Sequence, residues 1–242
     1  MTTRSPARSV PFLAVALLGL LAFLPGAAQA ADGDPTLQER VAALKQSLAE
    51  SQKALRTYQW VETTTVSMKG EVKSQKQMSC YYGADGALQK QPLSAPPPPP
   101  AKKKGLKGKI VESKKEELTG TMKQAVGLVK SYLPPDPARI QQAKDAGKAS
   151  VEVVEPSKMV LLSFRDYQLP GDVLAITLDP ATNRLAGIQV TTYLDKPSSP
   201  VDLKVTMGTL ADGTVYSAST QLEVKAEKVA VNIANTGYKH AN

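Results

Sequence analysis

The stretch Leu174–Leu194, LAITLDPATNRLAGIQVTTYL, has the alternation of two β-strands joined by a turn. Leu174, Ile176 and Leu178 alternate with Ala175 and Thr177, and PATN supplies residues that favour a chain reversal. The second half places apolar side chains on one face, at Ala186, Ile188, Val190 and Leu194. Two strands joined so closely pair antiparallel, and their aliphatic face has to be covered by other elements.

The same rhythm of strand and tight turn extends to both sides of this hairpin. SVEVVE and MVLLSFRDY precede it, and VDLKVTMGTL, TVYSASTQLEV and KVAVNIAN follow it. No segment among these strands is long enough for the helical crossover that parallel strands require. We therefore expect a sequential antiparallel meander from Ser150 onward.

A second pair of strands precedes the meander. YQWVETTTVSM and EVKSQKQMSCYY are rich in β-branched and aromatic residues and join across Lys69–Gly70. A two-residue turn there places Val61 on one face with Met78, Cys80 and Tyr82. An isolated hairpin is too small to be stable, so this one should join the later strands in a single sheet.

Three helices are predicted from apolar stripes at helical spacing. The first runs from Pro35 to about Arg56 and is capped either by the Thr36/Glu39 box or from Asp34 and Pro35. The second runs from Ser113 to Leu133, weakened by glycines at 120 and 127. Asp136 caps the third, which begins at Pro137 and ends at Gly147.

Together these elements predict an α+β fold: a large curved antiparallel sheet, or half-barrel, with an N-terminal helix and an inserted helical pair covering one face. Residues 31–242 are expected to form one domain, with a Pro/Lys-rich loop at 92–112 and a helical insertion at 113–147. The alternative is a division into two domains near Pro96, where the proline run begins.

The N-terminus has the features of a secretory signal peptide. Arg4 and Arg8 precede an apolar stretch, and small residues at Ala28 and Ala30 predict cleavage after Ala30. The alternative, an uncleaved membrane anchor, requires an apolar helix of roughly 20 residues, and this stretch is shorter. We expect a periplasmic or otherwise extracytoplasmic protein with no transmembrane anchor after cleavage.

The chain is basic, with a formal net charge of +8 that falls to +6 without Arg4 and Arg8. An exported basic protein meets anionic lipid or wall polymer rather than nucleic acid, and no nucleic-acid partner is expected. The segment PPPPPAKKKGLKGK, residues 96–109, concentrates this charge. It is either a solvated loop or a site that docks to an anionic envelope surface through Lys102, Lys103, Lys104, Lys107 and Lys109.

The sequence has few of the residues on which common catalytic sites depend. His240 is the single histidine and Cys80 the single cysteine, which argues against histidine-based triads and histidine-ligated zinc. We expect Cys80 to be a small buried apolar side chain; the alternative is a reactive thiol. Asp166, Asp172 and Asp179 lie where turns favour aspartate. We expect no enzyme, cofactor or metal, and catalysis remains as a third class of function.

The order of an amphipathic helix, the LRTYQW junction, a long hairpin, a helical insertion and a meander resembles the LolA/LppX-type periplasmic carrier fold. This resemblance implies a lipid or a lipidated protein as partner. If the inserted helices sit loosely, they cover a groove for a lipophilic ligand; if they pack tightly, they cover an ordinary core. The candidate groove residues are Trp60, Leu118, Met122, Val126, Val129, Leu174, Ile176 and Leu178.

Overall fold

The computed structural model describes residues 37–93, 106–156 and 158–241; side chains are described from residue 46 in the first helix and, in the second, at Ser113 and from residue 116. The helices of this part are α1 (Leu37–Leu55), α2 (Leu106–Lys130) and α3 (Pro137–Asp145). The strands are β1 (Tyr58–Met68), β2 (Glu71–Tyr82), β3 (Leu88–Pro92), β4 (Ala149–Val154), β5 (Met159–Arg165), β6 (Val173–Asp179), β7 (Arg184–Tyr193), β8 (Pro200–Thr209), β9 (Val215–Val224) and β10 (Val229–His240).

All ten strands form one antiparallel sheet in the order β3-β2-β1-β10-β9-β8-β7-β6-β5-β4. The sheet does not close, because β3 and β4 lie at opposite ends of this order. The early hairpin joins the meander through β1, which pairs with β10 from Tyr58–His240 to Met68–Val229. The fold class predicted from the sequence, an α+β half-barrel, is therefore confirmed.

The three helices cover the same face of the sheet, which is called the inner face below. Side chains of α1, α2 and α3 join one hydrophobic core with strands β5 to β9. The helices contribute Leu48, Ala125, Val129, Ile140 and Ala143, and the segment that follows α2 contributes Tyr132. The strands contribute, among others, Leu162, Phe164, Leu174, Ile176, Ile188, Val190, Leu203, Val205, Leu222 and Val224. On the outer face Gln189, Lys204 and Gln221 are exposed to solvent.

The first helix of the insertion starts earlier than predicted and ends at Lys130 rather than Leu133, and the second helix begins at Pro137 as predicted. The helix expected from Ser113 begins at Leu106, so the lysine-rich part of the predicted loop belongs partly to α2. Lysine, glutamate and leucine are good helix formers and outweigh the single Gly108. At the other end, Asp136 accepts a hydrogen bond from the backbone N–H of Ala138 and caps α3, as expected.

A β-bulge reverses the predicted faces of the first hairpin. Met68 pairs with Glu71, and Ser67 pairs with Val72. Val66 then pairs with Ser74, one residue further along than regular pairing requires, so β2 contains one extra residue. One extra residue turns every later side chain to the opposite face. Cys80 therefore lies opposite Trp60, and Met78 lies opposite Glu62. The expectation that Met78, Cys80 and Tyr82 share a face with Val61 is wrong for this reason.

A second bulge changes the hairpin with which the sequence analysis began. Thr177 pairs with Gly187 but Leu178 pairs with Leu185, which leaves Ala186 as the extra residue of β7. Leu185 is consequently buried in the core, in place of the predicted Ala186. Ile188 and Val190 lie beyond the bulge and are buried as predicted.

A fully buried carboxylate joins α2 to the turn between β5 and β6. Asp172 accepts hydrogen bonds from the backbone N–H groups of Tyr167, Gln168 and Leu169 at 2.5, 3.0 and 2.8 Å. It also accepts one from the Tyr132 hydroxyl at 2.5 Å. Asp172 thus serves turn geometry, as its position predicts, and in addition fixes the end of α2. We call these residues the Asp172 cluster.

Candidate functional site

The predicted groove residues separate into two groups. Val129, Leu174, Ile176 and Leu178 are buried in the core beneath α2, and Met122 and Val126 pack against that core. Leu118, one helical turn before Met122 in α2, is half-buried. Trp60 lies elsewhere, on β1. The face beneath the C-terminal half of α2 is thus packed, and whether any of these residues contacts a ligand stays a prediction.

A cavity of about 130 Å³ lies between α1 and the inner face of the sheet. Leu48, Ser51 and Leu55 of α1 form its upper wall. Its floor extends across the strands from β3 at the sheet edge to β7 near the centre. The apolar stripe of α2 predicts a groove beneath that helix, whereas the open space lies beneath α1.

Four aromatic side chains line one side of the cavity. Trp60 stacks on Tyr238, with ring centroids 5.4 Å apart and planes inclined by 11°. Tyr82 lies 6.0 Å from Trp60, and Tyr216 lies 4.4 Å from Tyr238. Aromatic pairs at such distances stabilise one another beyond their burial, by about 0.5–1.5 kcal/mol each. Burial raises the pKa of the Tyr238 hydroxyl, so this ring stays neutral at physiological pH.

Two hydrogen-bonded groups of polar side chains lie along the same floor. Lys90 Nζ donates to both carboxylate oxygens of Glu62, at 2.8 and 2.6 Å. Asn235, the cross-strand partner of Glu62, accepts a hydrogen bond from Trp60 Nε1 at 3.1 Å. Its amide nitrogen donates to the Ser217 carbonyl at 2.9 Å. The amide of Asn235 thereby fixes the indole ring, and the cavity combines an aromatic wall with a polar floor.

A glycine makes room for one of the aromatic rings. A Cβ atom placed on Gly208 would lie 2.7 Å from Cζ of Tyr216, the residue paired with it across β8 and β9. This ring therefore lies directly against the backbone of β8, and a larger residue at position 208 would displace it. Pairing of this kind depends on register, which the sequence pattern alone does not give.

Among the residues that line the cavity, sequence reasoning selected Trp60 alone. The lining residues that it missed include Glu62, Tyr82, Lys90, Tyr216, Asn235 and Tyr238. The strands that carry them are recognisable by composition, but β10 extends to His240, five residues beyond the predicted segment KVAVNIAN. The available signal was two tyrosines on β2 and one on each of β9 and β10, strands that the sheet order places in the same half of the sheet.

Cys80 lies directly beneath this site and is fully buried. Burial raises the pKa of its thiol to about 11, with a smaller contribution from the nearby Glu62 carboxylate. A thiol with so high a pKa is almost entirely protonated at neutral pH and is a poor nucleophile. Cys80 is therefore a small buried apolar side chain, the first of the two alternatives that the sequence offers.

We predict that Cys80 of the folded protein resists alkylation by iodoacetamide at about pH 8 and reacts fully once the chain is denatured. The elevated thiol pKa also implies that stability declines as pH rises from about 9 toward 11, because only the unfolded chain then ionises this group. Mass spectrometry after timed alkylation measures the first effect. Rapid labelling of the native protein at neutral pH would contradict the assignment.

The lysines proposed to bind an anionic surface remain a prediction. Lys102, Lys103 and Lys104 lie outside the described residues, and Lys107 and Lys109 lie in α2 at positions whose side chains are not described. Within the described ranges, no group of three or more metal-ligating side chains occurs. No helix of the described part is long and apolar enough to cross a bilayer.

Fold and site together define an unclosed antiparallel half-barrel with a single-ring-sized cavity under its first helix. Two solved structures are similar to this chain. A DUF1329 family protein from Desulfovibrio piger is 10% identical, with 82% of this chain and 92% of that chain covered and a TM-score of 0.37. A LolA superfamily protein from Nitrosomonas europaea is 11% identical, with 81% and 93% covered and a TM-score of 0.36.

The second of these belongs to the superfamily that the order of elements resembles. At such low TM-scores neither likeness carries an argument about ligand or activity. No family model matches the sequence, and no curated protein matches it.

Proposed function

We propose that this chain is a non-enzymatic extracytoplasmic protein that binds a lipophilic ligand, or the lipid of a lipidated partner, in the cavity beneath α1. The observation that carries the proposal is the cavity's composition: Trp60, Tyr82, Tyr216 and Tyr238 with Leu48, Leu55 and Met207, above a few fixed polar groups. Ligand sites are typically concave and mostly apolar, with a small number of positioned polar groups. The signal peptide expected from the sequence supports the extracytoplasmic location.

The size of the cavity limits what it holds as it stands. Sites for drug-sized molecules have volumes of about 300–1,000 Å³, against about 130 Å³ here. This space accepts one ring or the end of an alkyl chain. A whole acyl chain requires α1 to move outward, and the described attachments of α1 are few. They include the apolar contacts of Leu48 and a hydrogen bond from the Val215 N–H to the Ser51 hydroxyl at 2.9 Å.

Trp60 offers a direct test, since it is the single tryptophan of the chain and lines the cavity. Titration with the neutral apolar probe N-phenyl-1-naphthylamine, whose phenyl ring matches the one-ring space of the cavity, should quench Trp60 fluorescence by energy transfer in a saturable manner. Mass spectrometry of an organic extract of the purified protein should in parallel detect a copurifying lipophilic molecule. Absence of both saturable quenching and any extractable ligand would refute the proposal.

A matched pair of serine variants tests whether the ligand occupies this cavity. Ser217 lines it, whereas Ser219 lies on the outer face, because β9 contains an extra residue between the pairs Thr206–Ser219 and Met207–Ser217. Ser217→Phe should fill the cavity and weaken probe binding about tenfold or more, equivalent to at least about 1.4 kcal/mol. Ser219→Phe introduces the same side chain on the same strand and should leave the affinity unchanged. Equal affinities for both variants would place the ligand elsewhere.

A further inference from the structure

The charged groups at one end of the cavity indicate which lipophilic molecules it accepts. The cavity is asymmetric along its length. At the β7–β9 end its walls are uncharged: Leu48, Leu185, Met207 and Val215 lie there with the polar side chains Ser217 and Thr220. At the β3 end they include Lys90, Glu62 and Tyr82. A molecule that fills this space from end to end therefore meets charged groups at one end only.

The ion pair at the polar end presents its cation to an incoming ligand. Both oxygens of Glu62 accept hydrogen bonds from Lys90, and the Glu62 side chain is the less exposed of the two, at 14% against 26%. An ammonium has three N–H donors, so binding one carboxylate leaves it able to donate to a second acceptor. The Glu62 carboxylate, in contrast, is already paired with the Lys90 ammonium and covered by it.

A second cation lies at the same end. Arg56 follows α1 and is exposed, and its Nη1 lies 4.0 Å from where a Cβ of Gly86 would be, in the turn between β2 and β3. Its charge also acts on Tyr82, where it opposes the rise in hydroxyl pKa that burial causes. Asp85, in the same turn, uses one carboxylate oxygen to accept the Ala87 N–H. A guanidinium is a planar fork suited to carboxylate and phosphate.

A cationic ligand fits less well. Aromatic faces attract quaternary ammonium groups, but Trp60 and Tyr238 stack on each other and so cover one face of each ring. The acid among the described lining residues, Glu62, is paired with Lys90. A ligand cation would have to displace that ammonium before it gained a counter-ion.

From this asymmetry, and on the basis of the function proposed above, we propose that the cavity selects amphiphiles with an anionic end group. The carboxylate or phosphate lies at Lys90 and Arg56, and the apolar part points toward Leu185 and Met207. The class therefore comprises molecules such as fatty acids or monoalkyl phosphates rather than neutral or cationic lipids.

Three amphiphiles with the same chain test this selectivity: decanoate, decanol and decyltrimethylammonium, titrated below their micelle concentrations with Trp60 fluorescence as the readout. Decanoate should bind about tenfold more tightly than decanol, which is the increment expected for one charge-assisted contact. Decyltrimethylammonium should bind more weakly than either. The preference for decanoate should decrease with salt, because Arg56 is exposed.

Variants separate this selectivity from binding itself. Arg56→Gln, and separately the double change Lys90→Met with Glu62→Gln, should abolish the preference for decanoate over decanol. The double change avoids leaving Glu62 without its cation. Lys204→Gln on the outer face removes the same charge from the chain and should alter nothing.

The outcomes distinguish the two proposals. If decanol or decyltrimethylammonium binds as tightly as decanoate, or if neither cation variant affects decanoate, anionic selectivity is refuted while the ligand-binding function stands. If none of the three amphiphiles binds, and N-phenyl-1-naphthylamine does not bind either, the proposed function itself fails and the selectivity fails with it.

Discussion

Asp172→Asn should destabilise the fold by about 2–4 kcal/mol, a large fraction of the 5–15 kcal/mol typical of a domain. The Asp172 carboxylate is fully buried and accepts four hydrogen bonds, three from backbone N–H groups and one from Tyr132. An amide has one acceptor oxygen and one donor nitrogen. At least one donor of the cluster would therefore face another donor, with no access to water.

Urea unfolding followed by circular dichroism measures this effect as a shift of the midpoint at constant slope. Tyr132→Phe should remove the hydroxyl that donates to Asp172 and also hydrogen-bonds the Thr192 hydroxyl, and it should cost about 1–2 kcal/mol, less than Asp172→Asn. Asp195→Asn at an exposed position is the matched control and should change stability by less than about 0.5 kcal/mol. An Asp172→Asn protein as stable as the control would show that the carboxylate is not needed.

Ile176→Ala should cost about 3–4 kcal/mol of stability while leaving the affinity of the cavity for N-phenyl-1-naphthylamine unchanged. Ile176 is fully buried at the centre of β6, between Leu162 on β5 and Ile188 on β7. Truncation leaves a void that the surrounding close-packed side chains fill only in part. The cavity is lined by other residues, so a ligand bound there does not contact position 176.

Two measurements check this expectation: the urea midpoint and the Trp60 titration. Val151→Ala, at an exposed position of β4, is the control and should lose little stability. If Ile176→Ala abolished probe binding while stability barely changed, the ligand would lie under α2, as the apolar stripe of that helix first indicates. The cavity beneath α1 would then not be the binding site.

The elements of the fold are predictable because each carries a local signal. Alternation identifies the strands from Ser150 onward, and Asp136 with Pro137 marks the start of α3. The sequence of tight turns also predicts antiparallel pairing and a single sheet. These features depend on neighbours in the chain, and local pattern is what a sequence displays most clearly.

Bulges account for the errors in side-chain facing. The extra residues in β2 and β7 interrupt an otherwise regular alternation; the one in β7, Ala186, is next to Gly187, whereas the one in β2 has no glycine or proline beside it. Each extra residue shifts the alternation, so side chains on its two sides no longer follow one period-two pattern. The first moves Cys80 to the side of Trp60, and the second exchanges Ala186 for Leu185.

The site is less predictable than the fold because its residues come from distant parts of the chain. Trp60 can be selected as a candidate from its type, but the stack with Tyr238 depends on pairing between the first and last strands. The Lys90–Glu62 pair likewise depends on β3, a strand of five residues with little apolar signal. Long-range pairing of this kind cannot be deduced from periodicity.

The pairing of β1 with β10 also determines at which stage of folding the cavity forms. Trp60 belongs to the first strand to be synthesised, and its stacking partner Tyr238 belongs to the last. During synthesis, the chain therefore carries one half of the aromatic wall before the other half exists. Contacts between such distant segments form late and slowly. The aromatic wall of the cavity is complete only after β10 has paired with β1.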